Sequence, residues 1–318
     1  MFQTAFKYYK SRNPPPSFED VLLIGSDHPN LKPVRLGNID GQCFAGLLSP
    51  SEWKVHELTS RPGLLVVANP FTAEAQRQWM TRSLADYPIP PNTTNQSGVG
   101  QLARDAVGSW WEQLQTIPTP AERRKFAKSL RWATLGYQYD WTNKLYDEAR
   151  REPFPCELGA LVRYVATTLG YDRFSPEAAI VNYYPAGATL AGHTDHSEDD
   201  QTAPLFSFSF GQPAVFLFGG TSREEHPDAL LLRSGDIVVM TGASRLCYHA
   251  VPRVCIDAEL PEGLGCSAAR WAVLDAERPG AVQWGAAVEE YMQHSRININ
   301  VRQVLRENQQ TLQRSGLG

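Results

Sequence analysis

A chain of 318 residues with 42% hydrophobic content can bury a large core, which excludes wholesale disorder and leaves one elaborated domain or two. A formal net charge of only -4 means that any nucleic-acid partner must be held by a local basic surface, not by the global field. Five cysteines (Cys43, Cys156, Cys247, Cys255 and Cys266), widely spaced and without a C-x-x-C pair, argue against a disulfide scaffold or a zinc ribbon. A reducing, intracellular setting fits, and no apolar run of about 18 residues is present to span a bilayer.

The start, MFQTAFKYYKSRNPPP, lacks acidic residues and a signal-peptide stretch. It reads as an organelle-targeting segment or, preferably, as a helix that docks Phe2, Phe6 and Tyr9 on the domain. Pro- and Gly-rich stretches then predict an irregular arm to about residue 60. GLLVVANPF predicts a strand. TAEAQRQWMTRSLADYP predicts a helix capped by Thr72, with Met80, Leu84 and Tyr87 along one face and Pro88 as its stop.

The segment AERRKFAKSLR is expected to be helical, with Arg124, Lys128 and Arg131 on one face and Arg123 and Lys125 beside them. Two readings stand for that basic cluster, a solvated face and a phosphate-contacting patch. RWATLGYQYDW, with Trp132, Tyr137, Tyr139 and Trp141, predicts a half-buried hairpin. From about 178 onward, short apolar runs follow closely, separated by Pro185-Ala186-Gly187, Gly219-Gly220 and Ser234-Gly235. Such a series argues a sandwich or barrel, not a parallel sheet wound with helices. Residues 251–290, rich in Pro, Gly and charge, read as an insertion ending in a helix at WGAAVEEYMQHS.

Chemistry enters at GHTDH. His193 and Asp195 lie two apart, on one face of a strand or its extended continuation, and His249 in SRLCYHAV supplies a third donor from a later strand. Two imidazoles and one carboxylate with open positions suit non-haem iron(II). His196 falls on the opposite face and is a poorer donor. The final strand, RININVR, places Arg296, Asn298, Asn300 and Arg302 on one face and Ile297, Ile299 and Val301 on the other. Taken alone, that polar face belongs either in water or in a pocket. A chelating dicarboxylate bound at a metal needs a cation at its far end, so the order of metal triad and paired arginines is the order of a 2-oxoglutarate oxygenase. Arg296 is expected at the distal carboxylate and Arg302 nearer the metal.

With these motifs the chain resembles the AlkB dioxygenases, most closely their eukaryotic homologue 1 branch. The resemblance rests on NYYPAGATLAGHTD, SFSFGQPAVFLFGG, LLLRSGDIVVMTGASRLCYHAV and RININVR, across roughly 175–304. It implies an α+β fold, a double-stranded β-helix (jelly-roll) core flanked by helices, with an N-terminal extension and a nucleotide-recognition lid. The expected division is 1–60 for the helix and arm, 61–174 for helical support and lid, 175–306 for the core with its insertion, and 307–318 for a tail. It also implies iron(II), 2-oxoglutarate and O2, with Asn182, Tyr184 and Asn298 joining Arg296 and Arg302 around 2-oxoglutarate.

The implied reaction is oxidative removal of a methyl group from a nucleobase, in transfer RNA or unpaired DNA. N1-methyladenine and N6-methyladenine are the expected bases, and oxidation of 5-methylcytosine is also in reach. Tyr139 and Trp141 are candidates to stack on bases, and Arg123, Arg124, Lys125 and Lys128 to meet phosphates. Ser197 stands where some family members carry a base-reading carboxylate, and Asn300 stands where Thr or Ser is usual. Glu198 and Asp199 are near enough to contribute, although a solvated acidic loop is the preferred reading for both. A monomer without membrane attachment is expected, in nucleus, cytoplasm or mitochondrion. Two alternatives remain open: an iron hydroxylase of a protein or small molecule, and a cupin-like module holding a structural metal.

Overall fold

Each short apolar run after residue 178 alternates its side chains between two faces, and both faces find a partner. In the computed structural model, which describes residues 1–37, 43–97, 108–256, 260, 261, 264 and 285–312, two sheets pack face to face with helices on their outer sides. Helix α1 (Phe2–Lys10) leads into strands β1 (Val21–Leu23), β2 (Leu31–Pro33), β3 (Lys54–Leu58) and β4 (Leu64–Ala68). Helix α2 (Ala73–Ala85), strand β5 (Thr93–Thr94), and helices α3 (Trp110–Thr116) and α4 (Pro120–Ala127) precede the hairpin β6 (Trp132–Asp140) and β7 (Leu145–Arg151). Helix α5 (Cys156–Thr168) then introduces β8 (Ala178–Pro185), β9 (Leu190–His193), β10 (Leu205–Gly211) and β11 (Ala214–Phe218). Strands β12 (Asp228–Leu232), β13 (Ile237–Met240) and β14 (His249–Val254), helix α6 (Ala286–Met292) and strand β15 (Ser295–Arg302) complete the order.

The smaller sheet runs β1-β12-β11-β14-β9, and the larger runs β2-β3-β4-β13-β10-β15-β8-β6-β5, with β7 paired to β6. Every pairing is antiparallel except β1 with β12. This is the jelly-roll core with flanking helices that the motifs imply. Parity decides the layers. In LFSFSFG, Phe206, Phe208 and Phe210 turn outward to the helices, while Leu205, Ser207 and Ser209 turn toward the opposing sheet. Strand β15 obeys the same rule, sending Ile297, Ile299 and Val301 into the helix-covered core with Trp79, Trp110 and Leu161.

Between the sheets, Tyr184, Leu205 and Met240 meet Phe216, Phe218 and Val251. Outside the smaller sheet, Phe2, Phe6 and Tyr9 of α1 bury against Val215, Leu217 and Ala250, the docked helix expected from the first ten residues. Thr72 caps α2 by accepting from the Ala75 amide at 3.2 Å. The Ser234-Gly235 turn needs its glycine: φ is +87°, and a Cβ would strike the Asn69 side chain.

Two expectations are corrected. The arm before residue 60 carries β1, β2 and β3, each of which extends a sheet. The three-residue strands β1 and β2, the latter containing Pro33, are too short for a periodic signal. The basic helix ends at Ala127, so Lys128 is its C-cap and Arg131 lies past it at the approach to β6. Buried Leu130 draws the chain inward there and ends the shared face. The insertion lies largely outside the described residues. Among the described residues, no helix is long and apolar enough to cross a membrane.

Because Ile299 is 1% exposed on a strand paired on both sides, Ile299→Ala should cost about 2–5 kcal/mol in urea denaturation. Thr72→Ala, which removes one cap bond, should cost about 1 kcal/mol.

Candidate metal and co-substrate site

Strand pairing brings the two histidines together. His193 is the last residue of β9 and His249 the first of β14, and they face each other in the antiparallel register with ring centroids 4.3 Å apart. Asp195 follows β9 by two residues and returns its carboxylate to the same point. Its Oδ1 lies 3.8 Å from His193 Nε2 and its Oδ2 3.6 Å from His249 Nε2. The three donor atoms all lie within 4.8 Å of one another.

Local backbone sets both tautomers. His193 Nδ1 meets the Ala191 carbonyl at 2.9 Å and His249 Nδ1 meets the Cys247 carbonyl at 3.1 Å. A carbonyl only accepts, so each Nδ1 carries the proton and each Nε2 keeps a free lone pair. Burial, with the neighbouring His193, pushes His249 down to about 4, against the opposing pull of Asp195. Burial alone would raise Asp195, but Arg302 and the two imidazoles outweigh it and hold the carboxyl well below its usual range. At neutral pH the cluster therefore offers a carboxylate and a neutral His249.

The polar face of β15 lies between the sheets, not in water, with Arg296, Asn298 and Arg302 only 2%, 4% and 3% exposed. Register places Arg296 opposite Tyr184 and Asn298 opposite Asn182. Arg302 sits at the metal-donor end, its Nη2 2.9 Å from Asp195 Oδ2. Arg296 sits at the deep end, donating from Nη2 to Ser209 Oγ at 3.0 Å, with its guanidinium 5.3 Å from the Tyr184 ring centroid.

Two donors of Arg296, Nε and Nη1, are buried and make no hydrogen bond to the described residues. A buried cation with unused donors is costly unless an anion completes it, so this end of the cavity fits a carboxylate. Burial pushes the Tyr184 hydroxyl up to about 12, keeping it a donor beside that position. Asn298 commits its amide nitrogen to Ser207 Oγ at 2.8 Å and the Phe208 carbonyl at 3.0 Å.

Toward solvent the site opens into a cavity of about 420 Å³ shared by Asn182, His193, Asp195, Asn300, Arg302 and the β6–β7 hairpin. Tyr139 and Trp141 line it, Trp141 being 44% exposed and 4.9 Å from Tyr139 between ring centroids. Ser197 Oγ donates to the Lys144 carbonyl at 3.0 Å and lies 3.0 Å from the Tyr139 hydroxyl, tying the hairpin to the donor loop.

Glu198 departs from the expected solvated loop. Its side chain is 2% exposed, with Oε2 3.0 Å from Arg245 and Oε1 3.2 Å from Arg302 and 2.9 Å from the Tyr146 hydroxyl. Two arginines from separate strands supply the countercharge that permits burial. Asp199 is half-buried, with its carbonyl and carboxylate engaged by Arg306 and Gln309.

The basic cluster lies elsewhere: Arg123, Arg124, Lys125 and Lys128 line a different cavity, and Arg123 pairs with Glu290 at 2.8 Å. His196 is exposed, its ring turned to Thr194. One residue that the motifs did not single out is Arg245. It is 2% exposed and ties the Asp195 carbonyl at 2.6 Å, the Ala203 carbonyl at 2.9 Å and Glu198. Its signal in SRLCYHAV was a cation inside an otherwise apolar approach to a strand.

A profile of the 2OG-Fe(II) oxygenase superfamily matches residues 63–302. The chain belongs to this superfamily. It is 38% identical to "Nucleic acid dioxygenase ALKBH1" of Homo sapiens and 34% identical to the Mus musculus protein of that name. Each of these matches covers 97% of this chain and 85% of the relative. "tRNA demethylase abh1" of Schizosaccharomyces pombe is 36% identical over 79% of this chain and 82% of its own. Within the superfamily the chain belongs to the AlkB homologue 1 branch, as its motifs implied. It is an iron(II)- and 2-oxoglutarate-dependent dioxygenase, with O2 as co-substrate.

In the metal-free dioxygenase, NMR titration should show His249 ring resonances moving with a midpoint near 4. A midpoint near the ordinary 6.5 would mean that solvent reaches the ring. Glu198→Ala, which strands two buried guanidiniums, should destabilise the protein by about 3–5 kcal/mol in denaturant titrations.

Proposed function

We propose that this dioxygenase removes methyl groups oxidatively from nucleobases in single-stranded or unpaired nucleic acid. The observation that carries the proposal is one cavity joining a two-histidine, one-carboxylate cluster and a buried unsatisfied arginine to an aromatic mouth. Support also comes from relatives named as a nucleic acid dioxygenase and a tRNA demethylase. An "N(6)-methyladenine demethylase" of DNA from Arabidopsis thaliana, 34% identical over 78% of this chain, is a further such relative.

In this reading His193, Asp195 and His249 hold the iron on one side and leave the other open for co-substrates. Bound iron and 2-oxoglutarate use O2 to place one oxygen atom in a methyl C–H bond and the other in succinate, releasing carbon dioxide. The hydroxymethyl group on nitrogen then leaves as formaldehyde. The chain's own contributions are placement, charge and exclusion of water.

Arg296 grips the far carboxylate of 2-oxoglutarate with the donors it otherwise leaves unmade, assisted by Tyr184, Asn182 and Asn298. Arg302 holds Asp195 Oδ2, which leaves Oδ1 turned toward the histidine nitrogens. Tyr139 and Trp141 present rings to a base taken out of its stack, with Ser197 beside them. The β6–β7 hairpin acts as the lid. Arg123, Arg124, Lys125 and Lys128 have no place in this base site, because they border another cavity.

Purified protein supplied with iron(II), 2-oxoglutarate and methylated oligonucleotides should release formaldehyde in step with succinate. His193→Ala should abolish both. Arg296→Ala should weaken 2-oxoglutarate binding by about 2–5 kcal/mol, read as its KM. Succinate formation without formaldehyde from any methylated oligonucleotide would overturn the assignment.

A further inference from the structure

The base cavity has no carboxylate to spare. Among the described residues that line it, Asp195 and Glu198 are the acids, and both are engaged. Asp195 faces the metal donors and Arg302. Glu198 has both oxygens committed, Oε1 to Arg302 and Tyr146 and Oε2 to Arg245. The loop side chain nearest the lid is Ser197, neutral and tied to the Lys144 carbonyl and the Tyr139 hydroxyl.

Positive charge, by contrast, stands on two walls. Lys144 projects from the turn of the lid, where its φ is +55°, and Arg223 from the loop after β11. Arg223 lies 4.9 Å from the Tyr248 ring centroid and donates to the Gly192 carbonyl at 3.1 Å. Neither cation has a carboxylate within ion-pair distance among the described residues.

We propose that this cavity selects methylated bases that are uncharged at neutral pH over those that are cationic, a selectivity that rests on the nucleobase function proposed above. A cationic base such as N1-methyladenine or 3-methylcytosine leaves its hydration for a cavity that offers no free anion and places Lys144, Arg223 and Arg302 around it. At an effective dielectric of about 20, one unmatched like charge several ångströms away suffices for tenfold discrimination or more. An uncharged base incurs no such penalty. It meets neutral hydrogen-bonding groups instead, the amides of Asn182 and Asn300 and the hydroxyls of Tyr139 and Ser197. The lid lysine and Arg223 are then free to meet the flanking phosphates.

The test uses pairs of oligonucleotides that share methyl position and shape and differ in charge. One pair carries N1-methyladenine or 1-methylhypoxanthine, the other 3-methylcytosine or 3-methyluracil. Binding to the iron- and 2-oxoglutarate-loaded enzyme without oxygen gives Kd, and formaldehyde release gives kcat/KM. The uncharged member should be favoured at least tenfold by both measures. Ser197→Asp, which adds a carboxylate at the lid, should shift the ratio toward the cation by tenfold or more. Lys144→Asn with Arg223→Gln should shift it the same way without touching the donor loop. Preference for the cationic member, a ratio within tenfold of unity, or a ratio unmoved by both variants would overturn the selectivity. Absence of binding and turnover with all four oligonucleotides, while 2-oxoglutarate is still consumed, would instead overturn the nucleobase function itself.

Discussion

A guanidinium and a carboxylate buried together, Arg302 and Asp195 at 2.9 Å, form the interaction on which the site depends. Either charge alone between the two sheets would be prohibitively costly, and the pair is tolerable only because each member has further partners. Asp195 faces two imidazoles, and Arg302 shares Glu198 with Arg245. Charges therefore alternate from the metal donors outward: carboxylate, guanidinium, carboxylate, guanidinium. The last of these, Arg245, returns to the backbone of Asp195 and closes the circuit.

That circuit joins parts of the chain that are remote in sequence. Asp195 belongs to the loop after β9, Arg245 to the approach to β14, Arg302 to the end of β15, and Tyr146 to the lid strand β7. Sheet pairing delivers His193 and His249 to one point; the charge network delivers the carboxylate. Packing of Ile297, Ile299 and Val301 under the helices fixes the tilt of the strand that carries both arginines. A well-packed face behind a polar one is what allows a strand to hold charged groups in an interior.

The same economy of charge separates the two ends of the cavity. Arg302 is fully matched by protein, whereas Arg296 keeps two donors unmade. One arginine is thus structural in its electrostatics and the other awaits an anion, although both come from the same face of one strand. Membership in the 2OG-Fe(II) oxygenase superfamily supplies the chemical meaning of that asymmetry, a dicarboxylate lying between metal and cation.

Local periodicity was enough to read β15, α2, the docked N-terminal helix and the short-strand texture, because side-chain direction repeats every two or every 3.6 residues regardless of context. Residue chemistry and chain order were enough to nominate His193, Asp195, His249, Arg296 and Arg302. Burial was not legible in the same way. Whether the polar face of RININVR met water or a pocket, and whether Glu198 lay in a solvated loop or between two arginines, depended on partners from distant strands. The basic run at 123–131 shows the converse: its charges were evident, but only the turn at buried Leu130 and the pairing of Arg123 with Glu290 placed it at another cavity. Sequence by itself determined which side chains share a face and which chemistry they suit. Tertiary structure alone decided which of those faces are dry and which charges remain unmatched, because desolvation and ion pairing are properties of neighbours, not of the residue.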